Sequence, residues 1–478
     1  MLKDRKQLHQ TWKPVEGKIT TRWAQTIDPD RVWEEYPRPG LQRPEWLNLN
    51  GLWEYAITGE EKEWTGGRVE NAEDDRLLEG DAIQPDQWDG SILVPFCIES
   101  SLSGVGKLVR PNQLLWYRRS FSVPNRWKGQ RLLLHFEAVD WHCIVWVNGV
   151  KVGEHKGAFA PFTMDITDAL RSGDQEIVAA VWDPSNAGDQ ALGKQVLPEL
   201  RHGFRYTPTT GIWQTVWAEP VPDTSIERVK LTPNLDESLM HIECFLRGDS
   251  RDCKWTAELY DEGKLVAAVT GSASQPLQVA VTDPKRWEPD SPFLYDVKIK
   301  LTYQDKILDE VTSYCGFRKI DIAKDEQGTM RIRLNNQPVF QYGPLDQGYW
   351  PEGLQTPPSE EAMLFDLQYL KNIGCNMVRV HMKVHPARWY HLCDRLGLLV
   401  WQDMVSTWLL DAKITAESAQ QWEFEWKEMI DHLYHYPSII QWIVFNESWG
   451  QYDTERITDW TMKQDPSRLV TGASGWTD

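Results

Sequence analysis

The chain has 478 residues, which exceeds the size at which a single hydrophobic core keeps growing and favours about three domains. Hydrophobic residues make up 41% and charged residues 25%, as in an ordinary folded protein and unlike a disordered or fibrous one. The formal net charge of −19 repels phosphate backbones and anionic membrane surfaces, which argues against nucleic acid as a partner.

Targeting signals and cysteine usage favour a cytoplasmic protein. The first ten residues lack the apolar segment of a secretion signal, and no stretch reaches the roughly 18 apolar residues of a membrane span. The seven cysteines are scattered and never form a Cys-x-x-Cys pair, so reduced thiols are expected. His135, His142 and His155 have no recognisable ligand spacing. We therefore expect no metal, no cofactor and no membrane partner.

The 26 tryptophans are far more than a chain of this length usually carries. Indole rings fill protein cores, and their apolar faces also stack on sugar rings. A core position is the better interpretation for any single tryptophan, whereas the excess as a whole favours a protein that binds carbohydrate.

Residues 1–221 are predicted to form a β-sandwich. From about Trp46 to Glu219 the sequence consists of short alternating apolar segments separated by turn residues. Asn148-Gly149 lies between two such segments and predicts a tight hairpin, because both central residues of that turn need a positive φ. These features indicate antiparallel strands arranged in a sandwich.

A second β domain is predicted over residues 222–322. Pro220 and Pro222 mark the join, and alternation resumes at Ser225 and continues to about Ile322. About 100 residues with some seven strands fit an immunoglobulin-like β-sandwich.

After about Ala323 the apolar period changes from two to 3.6, and strands begin to alternate with helices. Ser359 is expected to cap a helix that Gly374 ends, and Pro386 and Gly397 delimit the next one. A third helix is predicted before Pro437, and its apolar face consists of Trp422, Trp426, Met429, Ile430 and Leu433.

Five parallel strands are predicted in the same region, near residues 338–342, 375–380, 398–404, 438–445 and 469–472. This is the pattern of a (β/α)₈ barrel, which typically needs about 250 residues. Only residues 323–478 are available for it, so we expect an incomplete TIM barrel that contains about strands 1 to 5.

The strongest local signal is Phe445-Asn446-Glu447-Ser448-Trp449-Gly450, which follows an apolar strand. The carboxyl ends of barrel strands carry the active sites of this fold. Glycosidic cleavage needs a carboxyl group that starts protonated, and burial among aromatic rings such as Trp442 and Trp449 favours that state. Alternatively, Glu447 is a strand-end residue that pairs with an arginine.

The wider sequence resembles glycoside hydrolase family 2 over nearly its whole length. The motifs are Leu49-Asn-Gly-Leu-Trp, Trp116-Tyr-Arg-Arg-Ser-Phe, Val145-Trp-Val-Asn-Gly, Thr210-Gly-Ile-Trp-Gln, Asn376-Met-Val-Arg-Val-His, Trp389-Tyr-His-Leu-Cys-Asp and Asn446-Glu447. The resemblance implies a jelly-roll sugar-binding-like domain, an immunoglobulin-like sandwich and a catalytic barrel, in that order.

By this resemblance Glu447 is the general acid/base and Asn446 is the partner of the substrate 2-hydroxyl. Arg379 corresponds to an arginine that holds neighbouring carboxylates, although a purely structural buried salt bridge is the alternative. His381 and Asp403 are assigned to the sugar pocket. The surroundings of Asp403 look like those of mannosidase-like members, which leaves the preferred sugar open.

Asp183 matches a position from which some relatives reach toward the substrate, but an aspartate that caps a turn is the alternative. The family nucleophile is a second glutamate from a later barrel strand, and no residue of this sequence is assigned to that role. The expected activity is that of a retaining β-glycosidase with a β-glycoside substrate, in a chain that is inactive alone. A non-catalytic carbohydrate-binding protein with a remnant barrel is the competing hypothesis. A homo-oligomer stays open.

Overall fold

The computed structural model describes residues 12–59, 84–200, 203–407 and 414–475. The first domain is a β-sandwich, as predicted. Its strands are β1 (Leu47–Asn48), β2 (Gly51–Thr58), β3 (Gly90–Val94), β4 (Leu114–Phe121), β5 (Arg131–Phe136), β6 (Val139–Asp140), β7 (His142–Val147), β8 (Val150–Lys156), β9 (Phe162–Asp165), β10 (Gln175–Trp182), β11 (Gly211–Ile212) and β12 (Val216–Val221).

Two sheets form the body of this sandwich, with the strand orders β1-β12-β5-β9 and β3-β2-β4-β10-β7-β8. The hairpin between β7 and β8 turns at Asn148 and Gly149, whose φ values are 52° and 81°. The predicted hairpin is therefore confirmed, with the backbone conformation that the Asn-Gly pair favours.

The second domain is the predicted immunoglobulin-like sandwich. Its strands are β13 (Ser225–Asn234), β14 (Leu239–Arg247), β15 (Lys254–Asp261), β16 (Lys264–Ser272), β17 (Leu277–Ala280), β18 (Trp287–Glu288), β19 (Ser291–Pro292), β20 (Tyr295–Tyr303) and β21 (Lys306–Cys315). The facing sheets have the orders β13-β14-β17 and β16-β15-β20-β21, which gives the expected seven strands. The small ribbon β18-β19 lies outside them.

A three-stranded antiparallel sheet follows, formed by β22 (Ile320–Lys324), β23 (Met330–Leu334) and β24 (Gln337–Pro338). The expected parallel strand over residues 338–342 is therefore wrong. A turn at Asn335 and Asn336, whose φ values are 53° and 67°, folds the chain back, so Gln337–Pro338 pairs with β23 instead. The predicted domain boundary at 322/323 falls inside β22.

The third domain is built on a five-stranded parallel sheet of order β25-β26-β27-β28-β29. Its strands are β25 (Leu345–Asp346), β26 (Met377–Val380), β27 (Leu399–Asp403), β28 (Ile439–Phe445) and β29 (Leu469–Ala473). Its helices are α1 (Glu360–Asn372), α2 (Ala387–Leu396), α3 (Ala416–Leu433) and α4 (Thr454–Gln464). This is the first part of a (β/α)₈ barrel.

Helix boundaries follow the predicted capping residues. The Ser359 side chain accepts a hydrogen bond of 3.2 Å from the Ala362 amide at the start of α1. Gly397 ends α2 with a φ of 71°. The helix α3 ends at Leu433, and all five predicted apolar residues of its face are buried.

The barrel and the first domain share one hydrophobic core. Trp141, Trp182 and Trp213 of the sandwich belong to the same buried cluster as Trp422 and Trp426 of α3. This shared core was not predicted from the sequence, because the alternating segments of each β domain indicate a separate core face. In the part of the chain that the structure describes, no helix is long and apolar enough to cross a lipid bilayer.

Candidate active site

The chemically important side chains lie at the carboxyl ends of three neighbouring barrel strands. His381 directly follows β26, Asp403 ends β27, and Asn446 and Glu447 directly follow β28. The strands are parallel and adjacent in the sheet, so their carboxyl ends meet at one edge. Arg379, the last residue but one of β26, reaches the same edge.

Arg379 is the centre of a hydrogen-bond network. Its Nε and Nη2 donate to the two carboxylate oxygens of Asp403, at 2.9 and 2.8 Å. Nη2 also donates to the Asn446 amide oxygen at 3.0 Å and to Ser474 Oγ at 2.9 Å, and Ser474 Oγ donates to the same Asn446 oxygen at 3.0 Å. Arg379 therefore forms the buried salt bridge that was the alternative interpretation, and it also orients Asn446.

This network fixes which way the Asn446 side chain faces. Its amide oxygen is occupied by two donors, and its amide nitrogen lies 3.8 Å from the Met382 sulfur, a weak acceptor. The amide nitrogen therefore keeps the capacity to donate to a ligand hydroxyl. If the amide group were rotated by 180°, its oxygen would face the ligand, and no N–H group would be available to donate to the hydroxyl.

The charges of Asp403 and His381 are set by burial. Burial raises the pKa of Asp403 to about 6, and the hydrogen bonds and charge of Arg379 oppose this rise. Burial lowers the pKa of His381 to about 3, helped by the charge of Lys194. His381 is thus neutral at neutral pH, and its 3.9 Å contact with Asp403 is not an ion pair. Within the described ranges, no three His, Cys, Asp or Glu side chains are arranged to hold a metal ion.

The backbone around Glu447 adopts an unusual conformation. Glu447 and Ser448 have φ values of 51° and 62°, and Met382 at the neighbouring strand end has 55°. Non-glycine residues in this left-handed region are uncommon and cluster at functional sites. Gly475 lies so close that a Cβ atom there would come within 2.7 Å of Glu447 Cα. The half-buried Glu447 is therefore held in a tightly packed turn.

The two tryptophans that were expected to surround Glu447 lie on different sides of the sheet. Trp442 is buried toward the helices, where its Nε1 donates to Asp465 at 2.9 Å and its ring meets Trp426 edge-on. The expectation that Trp442 surrounds the carboxyl group is therefore wrong, since β28 alternates its side chains between two faces. Trp449 stacks on Phe204 of the first domain, with ring centroids 5.8 Å apart.

Lys194 of the first domain also lies close to these residues, although no prediction from the sequence included it. Lys194 follows Leu192 and Gly193, whose amides both donate to the Ser406 carbonyl, at 3.3 and 3.1 Å. Burial lowers the pKa of Lys194, while the charges of Glu447 and Asp403 oppose this. No pattern in the sequence marks Lys194, because only tertiary packing brings its loop to the barrel.

Asp183 lies in the first domain, directly after β10. It accepts hydrogen bonds of 2.6 Å from the Ser185 amide and 2.6 Å from Thr210 Oγ1. None of these partners belongs to the Arg379 network. These contacts are those of an aspartate that caps a turn and ties it to a neighbouring loop.

Comparison with known proteins places the whole arrangement in one family. The model for "Glycosyl hydrolases family 2, sugar binding domain" matches residues 47–192, and "Glycosyl hydrolases family 2" matches residues 224–318. The "TIM barrel domain" model of the same family matches residues 357–478. The chain belongs to glycoside hydrolase family 2. The predicted resemblance and fold are confirmed.

Several family 2 relatives are similar along most of the chain. It is 28% identical over 376 residues to a β-galactosidase of Thermoanaerobacter pseudethanolicus, which covers 75% of this chain and 48% of the relative. A putative β-glucuronidase of Formosa agariphila is 28% identical, covering 75% and 34%. The chain therefore spans about half the length, or less, of these curated relatives.

Solved structures support the family 2 fold. A β-D-glucuronidase from Dictyoglomus thermophilum matches with a TM-score of 0.71 and 21% identity, covering 92% of this chain and 74% of that one. A β-glycosidase from Bacteroides vulgatus matches with a TM-score of 0.68 and 22% identity, covering 89% and 54%. At these identities the likeness concerns the fold alone.

Proposed function

We propose that the chain is part of a retaining β-glycosidase in which Glu447 is the general acid/base. The observation that carries the proposal is the joint position of Arg379, Asn446 and Glu447 at the carboxyl ends of adjacent barrel strands. Family membership and the glycosidase relatives support the same reaction class.

In the first step, the Glu447 carboxyl group gives its proton to the glycosidic oxygen while the bond from that oxygen to the anomeric carbon breaks. The leaving group departs as a neutral alcohol, and a carboxylate on the other side of the sugar forms a covalent bond to the anomeric carbon. Glu447, now ionised, takes a proton from the water that releases the sugar. The Asn446 amide nitrogen donates to the 2-hydroxyl, and Arg379 keeps it in that orientation.

The second carboxylate is proposed to come from a barrel strand outside this sequence. Retaining enzymes hold their two carboxyl groups about 5–5.5 Å apart. Asp403 is unsuited to the role, because Arg379 binds both its oxygens and its side chain is only 1% exposed. The matched region covers only 48% and 34% of two family 2 relatives, which leaves room in the complete gene product for further barrel strands.

The test uses the complete gene product with Glu447→Ala and an aryl β-glycoside whose leaving group needs little protonation. Azide can enter the space left by the carboxylate and attack the covalent intermediate without a base. We expect azide to accelerate the variant and to give the β-glycosyl azide, identified by NMR. Glu361→Gln, an exposed change in the first turn of α1, should leave activity unchanged.

Two results would contradict the proposal. Full activity of Glu447→Ala would remove the acid/base role, and an α-glycosyl azide would show that the reaction does not retain configuration. Binding of sugars with no hydrolysis of any aryl β-glycoside by the wild-type product would favour the non-catalytic hypothesis instead.

A further inference from the structure

Lys194 is a cation of the first domain that the mechanism above does not use. Its residue surface is only 7% exposed. Among the described residues its ammonium group has no ion pair or hydrogen bond, and its contact is with the ring of Phe204, 4.8 Å away. Burying a lysine that no carboxylate binds is costly, which indicates that a group outside the described residues supplies the missing negative charge.

Contacts on three sides locate the Lys194 loop over the barrel pocket. The amide of Gly193 binds the carbonyl of Ser406, three residues after Asp403. A Cβ atom on Gly193 would come within 2.7 Å of the Met382 carbonyl oxygen, next to His381. On the other side, Phe204 stacks on Trp449, two residues after Glu447.

No carboxylate among the described residues around the pocket forms an ion pair with Lys194. Arg379 is balanced by Asp403 through two parallel hydrogen bonds. His381 is neutral, and Glu447 has to be protonated to act as an acid. Among the described residues of the pocket, Lys194 is therefore the cation that no carboxylate binds, and either the nucleophile carboxylate proposed above or an anionic group of the substrate balances its charge.

We propose that Lys194 is a specificity-determining residue that binds an anionic substituent of the glycone, a carboxylate or a sulfate ester at C6. This inference rests on the proposed β-glycosidase function and names its substrate class. The glycone is favoured over the leaving group because the Lys194 charge acts on His381 and Asp403 as well as on Glu447. A charge-assisted hydrogen bond of this kind changes affinity by about 10- to 100-fold.

The test compares 4-nitrophenyl β-D-glucuronide, the 6-O-sulfo-β-D-glucoside and the neutral β-D-glucoside on the complete gene product. The three substrates have the same leaving group and differ only at C6. Lys194→Met removes the charge and keeps the aliphatic length. We expect kcat/KM to fall about 10- to 100-fold for at least one anionic substrate, mainly through KM, and less than threefold for the glucoside. Which anionic substrate loses more identifies the carboxylate or the sulfate as the group bound.

Two further variants complete the design. Lys194→Arg keeps the charge and should restore most of the preference for the anionic substrate. Lys107→Met removes another lysine of the first domain, which contacts the ring of Tyr55 in β2, and should change none of the three activities.

An equal decrease of kcat/KM on all three substrates in Lys194→Met would overturn the inference. The lysine would then support the structure of the site without binding the C6 substituent. A wild-type preference for the neutral glucoside would overturn it as well. If the wild-type product hydrolyses none of the three, titration with free D-glucuronate, glucose 6-sulfate and D-glucose decides the inference, while the proposed function is judged separately by hydrolysis of other aryl β-glycosides. Anion-selective binding that Lys194→Met abolishes would support the inference, and its absence would refute it.

Discussion

Replacing Arg379 with methionine should lower the free energy of unfolding, because Arg379 is the ion-pair partner of the buried Asp403. The Asp403 side chain is 1% exposed, and Arg379 supplies the positive charge that opposes the effect of burial on its pKa. Removing one partner of a buried ion pair leaves an uncompensated charge, which costs about 3–5 kcal/mol. The Asn446 amide would also lose one of its two orienting donors.

The pH dependence of this loss distinguishes an ion pair from simple packing. The pKa of Asp403 is about 6 with Arg379 present and should be higher without it. At pH 8 the variant must either bury the carboxylate or bind a proton, so the full loss of about 3–5 kcal/mol is expected. At pH 5 Asp403 is already mostly protonated in the wild type, and the loss should shrink to about 1–2 kcal/mol.

Denaturant unfolding at the two pH values, followed by tryptophan fluorescence, measures both losses. Arg333→Met is the matched control, because Arg333 binds Asp321 with the same geometry, at 2.8 and 2.7 Å, on a hairpin where both side chains are 26% exposed. Its unfolding midpoint should barely move at either pH. A loss in Arg379→Met that is small, or equal at pH 5 and pH 8, would refute the assigned role of the pair.

Three other changes test separate parts of the account. Burial raises the pKa of Glu425 to about 8, so its folded carboxyl keeps a proton that the unfolded chain releases; stability should fall as pH rises from about 4.5 to 8, and Glu425→Gln should flatten that slope in denaturant melts. Asp183→Ala should lower stability by about 1–3 kcal/mol through lost hydrogen bonds from Ser185 and Thr210, while KM stays within about twofold of wild type, and a larger KM change would favour substrate contact. Trp422→Ala, which opens the shared core at a cost of about 3–5 kcal/mol, should expose the first domain and the barrel to protease together, and stepwise exposure would contradict a common core.

Local patterns predicted the fold where each element carries its own boundary signals. Ser359, Gly397 and the Asn148-Gly149 turn specify backbone conformations through their own chemistry, and the structure places them as expected. The turn at Asn335 and Asn336 carried a similar signal and was overlooked. The strand that was expected after it belongs to an antiparallel hairpin instead.

Only those residues of the candidate site that lie at the ends of barrel strands could be predicted from the sequence. Arg379 and Glu447 follow apolar runs, and parallel strands bring such ends together by geometry. That Arg379 both forms a salt bridge with Asp403 and orients Asn446 could not be predicted from the sequence, because it depends on the positions of the side chains. Lys194 was not predictable, because its loop contacts residues more than 180 positions away that no local pattern identifies.

The central claim is that Glu447 delivers the proton to the leaving oxygen, and the most direct measurement is the leaving-group dependence of Glu447→Gln in the complete gene product. For 4-nitrophenyl glycosides, whose leaving group needs little protonation, the first step should slow far less than for alkyl glycosides with the same sugar. Asn446→Ala, which removes a donor that contributes no proton, should slow both substrates by similar factors. A Glu447→Gln variant that loses the same factor on both leaving groups would contradict the account.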